Sequence, residues 1–199
     1  MSERPRDFVA AIQVSLDGYM QGANGEVDWV DSWSDALDLI PGAGAAVLGG
    51  GMYPGYEQLW GSIAADPGSG KAMLGREVTE GEIKYARWTQ ASPHYVLSTS
   101  LSKVNWPHAR LVHDVKGLRV LKEQAGGAVY VVGGPTLVSR LLNGGLIDEL
   151  RLIVHPIVLG DGKGPFAGLS RQVLELRGSE TGRSGRVVTT YRVTGSFTR

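Results

Sequence analysis

The sequence contains no cysteine, which excludes disulfide bonds and metal sites built on thiolates. It also lacks any run near the roughly 18 to 20 apolar residues that a membrane-spanning helix needs. The first 20 residues include charges, and their apolar stretch is too short and too polar for a signal peptide. These absences predict a soluble, cytoplasmic protein.

An excess of one charge is also missing. Lysine and arginine total 20, aspartate and glutamate total 20, and the formal net charge is zero. Proteins that bind nucleic acid usually have a basic face, and polybasic membrane anchors need a run of like charges. We therefore expect neither nucleic acid nor a membrane as a partner. The four histidines include no i, i+4 pair, so we expect no metal site.

The residues that are present fit one domain over positions 1–199. Of these residues 42% are hydrophobic, and a chain of this length can bury a sizeable core. Strand-like and helix-like segments alternate first, and a run of strands ends the chain. This order predicts an α/β fold with a mostly parallel sheet, an antiparallel C-terminal portion and flanking helices.

Local patterns predict the elements of this fold. The predicted strands cover residues 8–14, 45–48, 94–97, 110–113, 128–132, 150–158, 173–177 and 186–194. The predicted helices cover residues 33–40, 79–90, 116–124 and 135–142, and residues 61–78 are predicted as a loop excursion. Thr79 and Glu82 have the spacing of a capping box. Pro156 indicates an edge strand or a bulge, and residues 160–164 indicate a hairpin-type turn.

Two glycine clusters follow short apolar strands and raise the question of a phosphate site. In VYVVGGPTL, residues 129–137, a strand ends at Gly133 and Gly134, and Pro135 begins a helix. The first N–H groups of a helix and the positive end of its dipole suit a phosphate, and glycine lets a ligand approach closely. A tight strand-to-helix turn explains the same glycines equally well. Residues 49–51 follow the apolar strand AAVL and allow the same two explanations, a phosphate site or a tight turn.

Three carboxylates in the N-terminal part are candidates for contacts with a substrate. Asp17, Asp28 and Asp31 lie near a glycine-rich stretch and beside Trp29. A carboxylate next to an aromatic ring can hold a heterocycle by hydrogen bonding and stacking. The alternative is structural, with Asp17 in a turn and Asp31 as a helix cap.

The motifs occur in an order that resembles the dihydrofolate-reductase-like superfamily. They are VSLDGYMQG, the dipeptide DW, LGGGMYPGYEQLW, YVLSTSL and VYVVGGPTLVSRLLNGGLIDELRLIVHPIVLGDGKGPF. The sequence is most similar to the reductase domain of bacterial riboflavin biosynthesis, the C-terminal half of a bifunctional deaminase-reductase, and to its stand-alone relatives. The resemblance covers residues 8–191. It implies a three-layer reductase domain that uses NADPH, or NADH, to reduce a small pterin- or pyrimidine-like heterocycle. Such relatives are commonly homodimers, which implies the same here.

The resemblance also implies roles for particular residues. The cofactor would lie across the carboxyl ends of the strands and face Gly49, Gly50, Gly51, Met52, Ser98, Thr99, Gly133, Gly134, Pro135, Thr136 and Leu137. The substrate would contact Asp17, Trp29 and Tyr53. Asp28 or Asp31 would be the catalytic carboxylate, either binding the substrate or assisting its protonation.

The sequence departs from the family pattern at two positions where arginine is frequent. Gly50 and Thr99 occupy these positions, and arginine is the side chain best shaped to bind the 2′-phosphate of NADPH. Lys103 or Arg87 could compensate. Two alternatives to a reductase remain: a dinucleotide- or pterin-binding protein of this fold without catalysis, and an interaction protein whose glycines only shape turns.

Overall fold

A computed structural model describes residues 5–196 of the chain. Within this range the strands are β1 (Phe8–Ser15), β2 (Gln21–Gly22), β3 (Ala45–Gly49), β4 (His94–Leu97), β5 (Ala109–Val112), β6 (Val129–Val132), β7 (Glu149–His155), β8 (Gly162–Lys163), β9 (Gln172–Thr181) and β10 (Val187–Ser196). The α-helices are α1 (Asp35–Asp38), α2 (Tyr53–Ala65), α3 (Gly70–Leu74), α4 (Glu80–Ala91), α5 (Val115–Arg119) and α6 (Pro135–Asn143). No helix in the described part of the chain is both long and apolar enough to cross a bilayer.

Eight of these strands form one sheet, in the order β5-β4-β3-β6-β1-β7-β10-β9. All neighbours from β5 to β7 are parallel, whereas β10 runs antiparallel to both β7 and β9. The short strands β2 and β8 form a separate antiparallel pair. The predicted α/β architecture, mostly parallel with an antiparallel C-terminal portion, is confirmed.

The sheet separates two hydrophobic cores. On one face Phe8 and Val131 pack with the buried side of α6, including Leu141. On the other face Ala11 and Tyr130 pack with buried residues of α1, α2 and α4. Strand β1 is buried along its whole length, because a parallel strand between two layers of helices has no solvent-facing side. The three-layer arrangement predicted from the sequence is thereby confirmed.

Residues 61–74 are largely helical, where the sequence predicts a loop excursion. Helix α2 continues to Ala65, and α3 follows after a 3-10 turn. Pro54 lies in the first turn of α2, where its missing N–H is tolerated. Trp60 and Ile63 recur at helical spacing and are buried. Burial of this face stabilises a helix whose glycines and proline suggest a loop.

Strand β7 ends at His155, directly before Pro156, instead of continuing to residue 158. It lies between β1 and β10, so it is an interior strand. Proline has no N–H for the ladder and therefore ends this strand instead of marking an edge or a bulge. Residues 160–164 likewise close no hairpin between neighbouring strands, since β8 pairs with β2.

The helix predicted over residues 33–40 is a single turn, α1, and Asp31 does not cap it. The Asp31 carboxylate instead accepts a hydrogen bond of 2.9 Å from Nη1 of Arg186. Arg186 is buried, and the same nitrogen also donates to Asp35. The two aspartates neutralise a guanidinium whose burial without a partner would be strongly destabilising.

The capping box predicted at the start of α4 is confirmed. Thr79 Oγ1 accepts from the N–H of Glu82 at 3.1 Å, and the Glu82 carboxylate accepts from the N–H of Thr79 at 3.0 Å. The Glu82 side chain is fully buried, and Arg76 donates two hydrogen bonds to it at 2.7 and 2.9 Å. Burial raises the pKa of Glu82, but hydrogen bonds from Arg76, Thr79 and Trp33 outweigh it and hold the pKa below its usual value.

Replacing Glu82 by glutamine should lower the free energy of unfolding by about 2 kcal/mol, because charge-assisted hydrogen bonds to a buried group are lost. Urea unfolding at pH 7 measures this. A carboxyl with a depressed folded-state pKa stabilises above its unfolded pKa, and this stabilisation is lost as the pH falls through the folded value. The difference between the proteins should therefore shrink below about pH 4.3. Glu80→Gln, at an exposed position of α4, is the control; an equal loss there would contradict the special role of Glu82.

Candidate active site

Two strand-to-helix junctions meet at one edge of the sheet. Strands β3 and β6 are adjacent and parallel, with Leu48 paired to Val132, so their carboxyl ends lie side by side. Helix α2 begins at Tyr53 after β3, and α6 begins at Pro135 after β6. The first turn of each helix has N–H groups without intrahelical partners and the positive end of the helix dipole. The edge of the sheet between the two helices therefore favours an anion.

Two glycines at these junctions are required by packing. A Cβ on Gly50 would lie 2.4 Å from Cβ and Oγ of Ser98. A Cβ on Gly133 would lie 2.6 Å from Cδ2 of Leu137. Both distances are far below van der Waals contact, so these glycines let neighbouring parts of the protein approach one another.

Two other glycines face open space. A Cβ on Gly51 or on Gly134 would meet no protein atom within 4 Å. Neither residue has a positive φ, so neither needs glycine for its backbone conformation. Open space in front of a helix N-terminus is what a bound anion requires, and glycine leaves the backbone N–H groups accessible.

A groove of about 400 Å³ runs over the two junctions, and we call it the glycine groove. It is lined by Gly49, Gly50, Gly51, Met52, Leu97, Ser98, Thr99, Ser100, Gly134, Pro135, Thr136, Leu137 and Arg140. Oγ of Ser98 accepts hydrogen bonds from the N–H groups of Ser100 and Leu101 at 3.2 and 3.1 Å, which fixes the loop after β4. Ten of the eleven residues predicted to contact a cofactor line this groove, and Gly133 lines the adjoining cavity instead.

The adjoining cavity has a volume of about 330 Å³ and lies between β1, β6 and α2. Its aromatic lining residues are Trp33, Tyr56, Trp60, Tyr85 and Tyr130, and we call it the aromatic cavity. Among the described residues that line it, none is an aspartate, glutamate, histidine, lysine or arginine. Met52, Gly134 and Pro135 line both the cavity and the glycine groove. The two spaces therefore meet at the first turns of α2 and α6.

Gln13 connects the wall of the aromatic cavity to the segment before α1. Its Nε2 donates to the carbonyl oxygen of Ser32 at 2.9 Å, and its Oε1 accepts from Nε2 of His155 at 2.8 Å. Burial first, and then the charge of Arg186, lower the pKa of His155. The imidazole therefore stays neutral near pH 7 and holds the amide in place.

Tyr85, Tyr56 and His94 form a second hydrogen-bonded chain in the cavity wall. The two hydroxyl oxygens are 2.8 Å apart, and the Tyr56 hydroxyl lies 3.3 Å from Nε2 of His94. Nδ1 of His94 lies 2.7 Å from the carbonyl oxygen of Ser92, which fits a donor at Nδ1 and an acceptor at Nε2. Burial lowers the pKa of His94 to about 4, so this ring is neutral at pH 7.

Two of the carboxylates proposed for substrate or catalysis hold segments of the chain together, and their proposed roles stay predictions. Asp17 accepts a hydrogen bond of 2.6 Å from Oγ of Ser15 and further bonds from the N–H groups of Leu159 and Gly160. The hydrogen bond from Ser15, followed by those of the backbone, lowers the pKa of Asp17. Asp31 is paired with Arg186, as described above. Neither is among the described residues that line the groove or the cavity.

Asp28, Trp29 and Tyr53 also lie outside the described linings of both spaces. Asp28 is exposed. The Trp29 ring packs edge-on against His155, with 5.0 Å between ring centroids, and its buried Nε1 has no hydrogen-bond partner among residues 5–196. The Tyr53 hydroxyl accepts from the N–H of Asn105 at 3.0 Å and ties the loop before β5 to α2. The substrate and catalytic roles of these residues stay predictions.

Several lining residues are not among those predicted from the sequence. Arg140 lines the glycine groove, is exposed and forms no ion pair within residues 5–196. It follows Thr136 by four positions, and this spacing on one helix face was the available signal. Lys103 and Arg87 are not among the described residues that line the groove. Tyr130 lies within a buried strand, where its contact with a cavity has no signature in the sequence.

The geometry agrees with the comparison to known proteins. The family model of the RibD C-terminal domain matches residues 7–188, and the chain belongs to this family. The uncharacterized protein YyaP of Bacillus subtilis (strain 168) is 27% identical over 197 residues, a match that covers 96% of this chain and 97% of YyaP. The resemblance stated from the sequence is thereby confirmed.

Solved structures share the fold at lower sequence identity. The chain is similar to the Thermotoga maritima diaminohydroxyphosphoribosylaminopyrimidine deaminase/5-amino-6-(5-phosphoribosylamino)uracil reductase, with a TM-score of 0.63 and 18% identity, covering 94% of this chain and 57% of that one. It is also similar to a dihydrofolate reductase from Enterococcus faecalis complexed with NADP(H), with a TM-score of 0.59 and 13% identity, covering 97% and 99% of the two chains. These likenesses establish a fold that reductases share.

The two kinds of glycine should respond differently to alanine. Gly50→Ala and Gly133→Ala should each lower the free energy of unfolding by about 1 to 3 kcal/mol, because the new Cβ overpacks a filled space. Gly51→Ala and Gly134→Ala should change it by less than about 1 kcal/mol, since their Cβ atoms meet nothing. Urea unfolding of the four variants measures these changes. Equal losses at all four positions would contradict the distinction between packing glycines and open glycines.

Proposed function

We propose that this protein is a reductase that binds NADPH, or NADH, in the glycine groove and reduces a small pterin- or pyrimidine-like heterocycle in the aromatic cavity. The observation that supports this most is the sharing of Met52, Gly134 and Pro135 by the two spaces. A long ligand with its phosphates in the groove would bring its far end to the mouth of the cavity. Membership of the RibD C-terminal domain family and a fold shared with reductases support the same class of activity.

The residues of the groove fit a dinucleotide. Two helix N-termini converge on it, and the missing side chains of Gly51 and Gly134 leave room for a pyrophosphate. Thr99 and Ser100, which also line the groove, are exposed hydroxyl residues suited to a ribose. Arg140 adds the guanidinium that is missing at positions 50 and 99, and an arginine binds phosphate with a directional pair of N–H groups.

When bound, a reduced nicotinamide supplies a hydride for a C=N or C=O bond. The residues of this chain would hold the acceptor ring against the aromatic walls and keep water away from it. The reduction also needs a proton on the atom next to the carbon that receives the hydride. The aromatic cavity offers phenol hydroxyls and no carboxylate among its described lining residues, so we infer that a phenol or a water molecule provides this proton.

Replacing Arg140 by glutamine should weaken NADPH binding about tenfold, because one charge-assisted phosphate contact is lost. Fluorescence titration of the wild-type and variant proteins measures the Kd. A loss confined to NADPH would assign Arg140 to the 2′-phosphate, and an equal loss for NADH would assign it to the pyrophosphate.

Arg87→Gln is the matched control, since Arg87 is exposed on α4 and is not among the described residues that line the groove. It should leave both Kd values within twofold of wild type. Unchanged binding of both dinucleotides to the Arg140 variant would contradict the role of Arg140 in the groove. If neither dinucleotide binds wild type below roughly millimolar, about 4 kcal/mol, the reductase proposal itself fails.

A second candidate function is a dinucleotide- or pterin-binding protein without catalysis. It is favoured by the absence of aspartate, glutamate, histidine, lysine and arginine from the described lining of the aromatic cavity. The discriminating experiment mixes saturating NADPH with dihydrofolate or 5-amino-6-(5-phosphoribosylamino)uracil and follows the absorbance of the reduced nicotinamide. Tight dinucleotide binding without oxidation in the presence of either compound would favour the second candidate.

We also propose that the protein forms a homodimer through β9. This edge strand is ten residues long and exposed on both faces over nearly its whole length. Val173, Leu174 and Leu176 are 42, 39 and 58% exposed. A long edge strand with exposed apolar side chains is a typical site for pairing with another chain.

The double substitution Leu174→Asp and Leu176→Asp should convert the dimer to a monomer, because four buried carboxylates would be brought to one symmetric interface. Sedimentation velocity measures the mass of wild type and variant. Val120→Asp is the control, since Val120 is 54% exposed in another part of the fold. A wild-type protein that sediments as a monomer at tens of micromolar would contradict this proposal.

A further inference from the structure

Several polar side chains that line the aromatic cavity are bonded to the protein itself. Both polar atoms of the Gln13 amide are engaged, one with Ser32 and one with His155. The hydroxyls of Tyr56 and Tyr85 bond to each other, and the chain continues to His94. These groups shape and stiffen the wall of the cavity, and a ligand would have to break existing hydrogen bonds to use them.

Tyr130 differs from these residues. Its side chain is 4% exposed and lines the cavity, and no hydrogen bond within residues 5–196 involves its hydroxyl. The hydroxyl oxygen is not among the fully buried, unpaired polar atoms of the described residues, so it is accessible from the open space of the cavity. Burial raises the pKa of Tyr130, so the hydroxyl keeps its proton near neutral pH. The cavity therefore presents a neutral hydroxyl that can donate or accept a hydrogen bond.

Tyr130 lies on a strand that leads to the first turn of α6. Tyr130 lies in β6, three residues before Gly133. It shares its face of the sheet with Val132, which also lines the cavity. A ring bound in the cavity would therefore lie near both Tyr130 and the first turn of α6.

The lack of charged side chains in the described lining restricts which ligands can enter the cavity. No charged side chain is among the described residues that line it. A phosphate or carboxylate group inside would lose its hydration without gaining an ion pair, which is strongly unfavourable. The rings of Trp33, Tyr56, Trp60, Tyr85 and Tyr130 instead offer faces and edges for stacking with a flat ligand.

We propose that the substrate of this site is an uncharged planar ring that bears no phosphate, and that Tyr130 binds one polar atom of that ring. The proposal rests on the proposed function for the statement that the aromatic cavity is the substrate site. It separates this chain from the Thermotoga maritima enzyme, whose substrate is named as a phosphoribosylamino uracil. Cations for such a phosphate are not found among the described residues of the aromatic cavity.

Binding of 1-naphthol and 1-naphthyl phosphate tests the exclusion of phosphate. The two probes have the same flat ring, and they differ only in the phosphate attached directly to it. Isothermal titration calorimetry is done without dinucleotide and in excess inorganic pyrophosphate, which occupies the proposed anion site of the glycine groove. It should give a Kd for 1-naphthol at least tenfold lower than for 1-naphthyl phosphate. Equal affinity, or tighter binding of the phosphate, would overturn the proposal.

Gln21→Lys adds a positive charge to the half-buried lining position of β2. This variant should bind 1-naphthyl phosphate at least tenfold more tightly than wild type does, with less than a threefold change for 1-naphthol. An unchanged Kd for the phosphate probe would show that uncompensated charge is not what excludes it, and would count against the proposal.

Tyr130→Phe tests the hydrogen bond. The variant should bind 1-naphthol about tenfold more weakly and naphthalene with unchanged affinity, because only the first probe has a polar atom. Its melting temperature should be no lower than that of wild type, since no hydrogen bond is lost. Tyr85→Phe, which removes the bond to Tyr56, should melt at a lower temperature. Equal weakening of both probes by Tyr130→Phe would overturn the assignment to Tyr130.

These measurements need no dinucleotide, so they separate two kinds of failure. If the probes behave as expected but NADPH does not bind, the cavity has the stated selectivity and the reductase proposal fails. If NADPH binds and is oxidised only with a phosphorylated substrate, the reductase proposal stands and the present inference fails.

Discussion

The parallel pairing of β3 with β6 is the constraint on which the candidate site depends. Parallel neighbours end at the same edge of a sheet, so the helices that follow both strands begin there together. Two helix N-termini then point their unpaired N–H groups into one groove, which neither helix could form alone. The close approach needs Gly50 and Gly133, where any side chain would collide with Ser98 or Leu137. The parallel pairing of β3 with β6 therefore has two consequences. It brings neighbouring residues close to Gly50 and Gly133, and it leaves open space in front of Gly51 and Gly134.

The wall of the aromatic cavity depends on contacts that lie outside it. The segment that contributes Val30, Trp33 and Ala36 to the lining contains little regular structure of its own. Hydrogen bonds hold it in place: Gln13 binds the carbonyl of Ser32, Glu82 accepts from the N–H of Trp33, and Arg186 pairs with the aspartates on either side. The pairing of Asp31 with Arg186 thus positions a wall of the cavity. A buried guanidinium fixes such a segment firmly, because its partners cannot separate without leaving a buried charge unpaired.

Local signals in the sequence predict the strands, the capping box and the two glycine junctions, because each depends on neighbouring residues. The sequence does not predict which glycines face open space, since Gly50 and Gly51 differ only in what lies opposite them. Nor does it predict the pairing of Asp31 with Arg186, whose positions are 155 residues apart. Helix α2 is obscured by its proline and glycines, although its buried aromatic residues have helical spacing. Where tertiary contacts decide whether a segment is helical or which side chains pair, neither helix propensity nor a local motif predicts the structure.

Helix α2 couples the two spaces physically. Met52, the residue directly before this helix, lines the glycine groove, and Tyr56 and Trp60 within the helix line the aromatic cavity. A rigid helix rises about 1.5 Å per residue, so the separation between an anion at its N-terminus and a ring beside Tyr56 is set by the backbone and not by flexible side chains. The chain Tyr85–Tyr56–His94 ties this part of α2 to α4 and β4. The aromatic core beneath α2 thus does more than stabilise the fold. It holds the proposed anion site and the proposed ring site at a fixed distance, which transfer between two bound molecules would require.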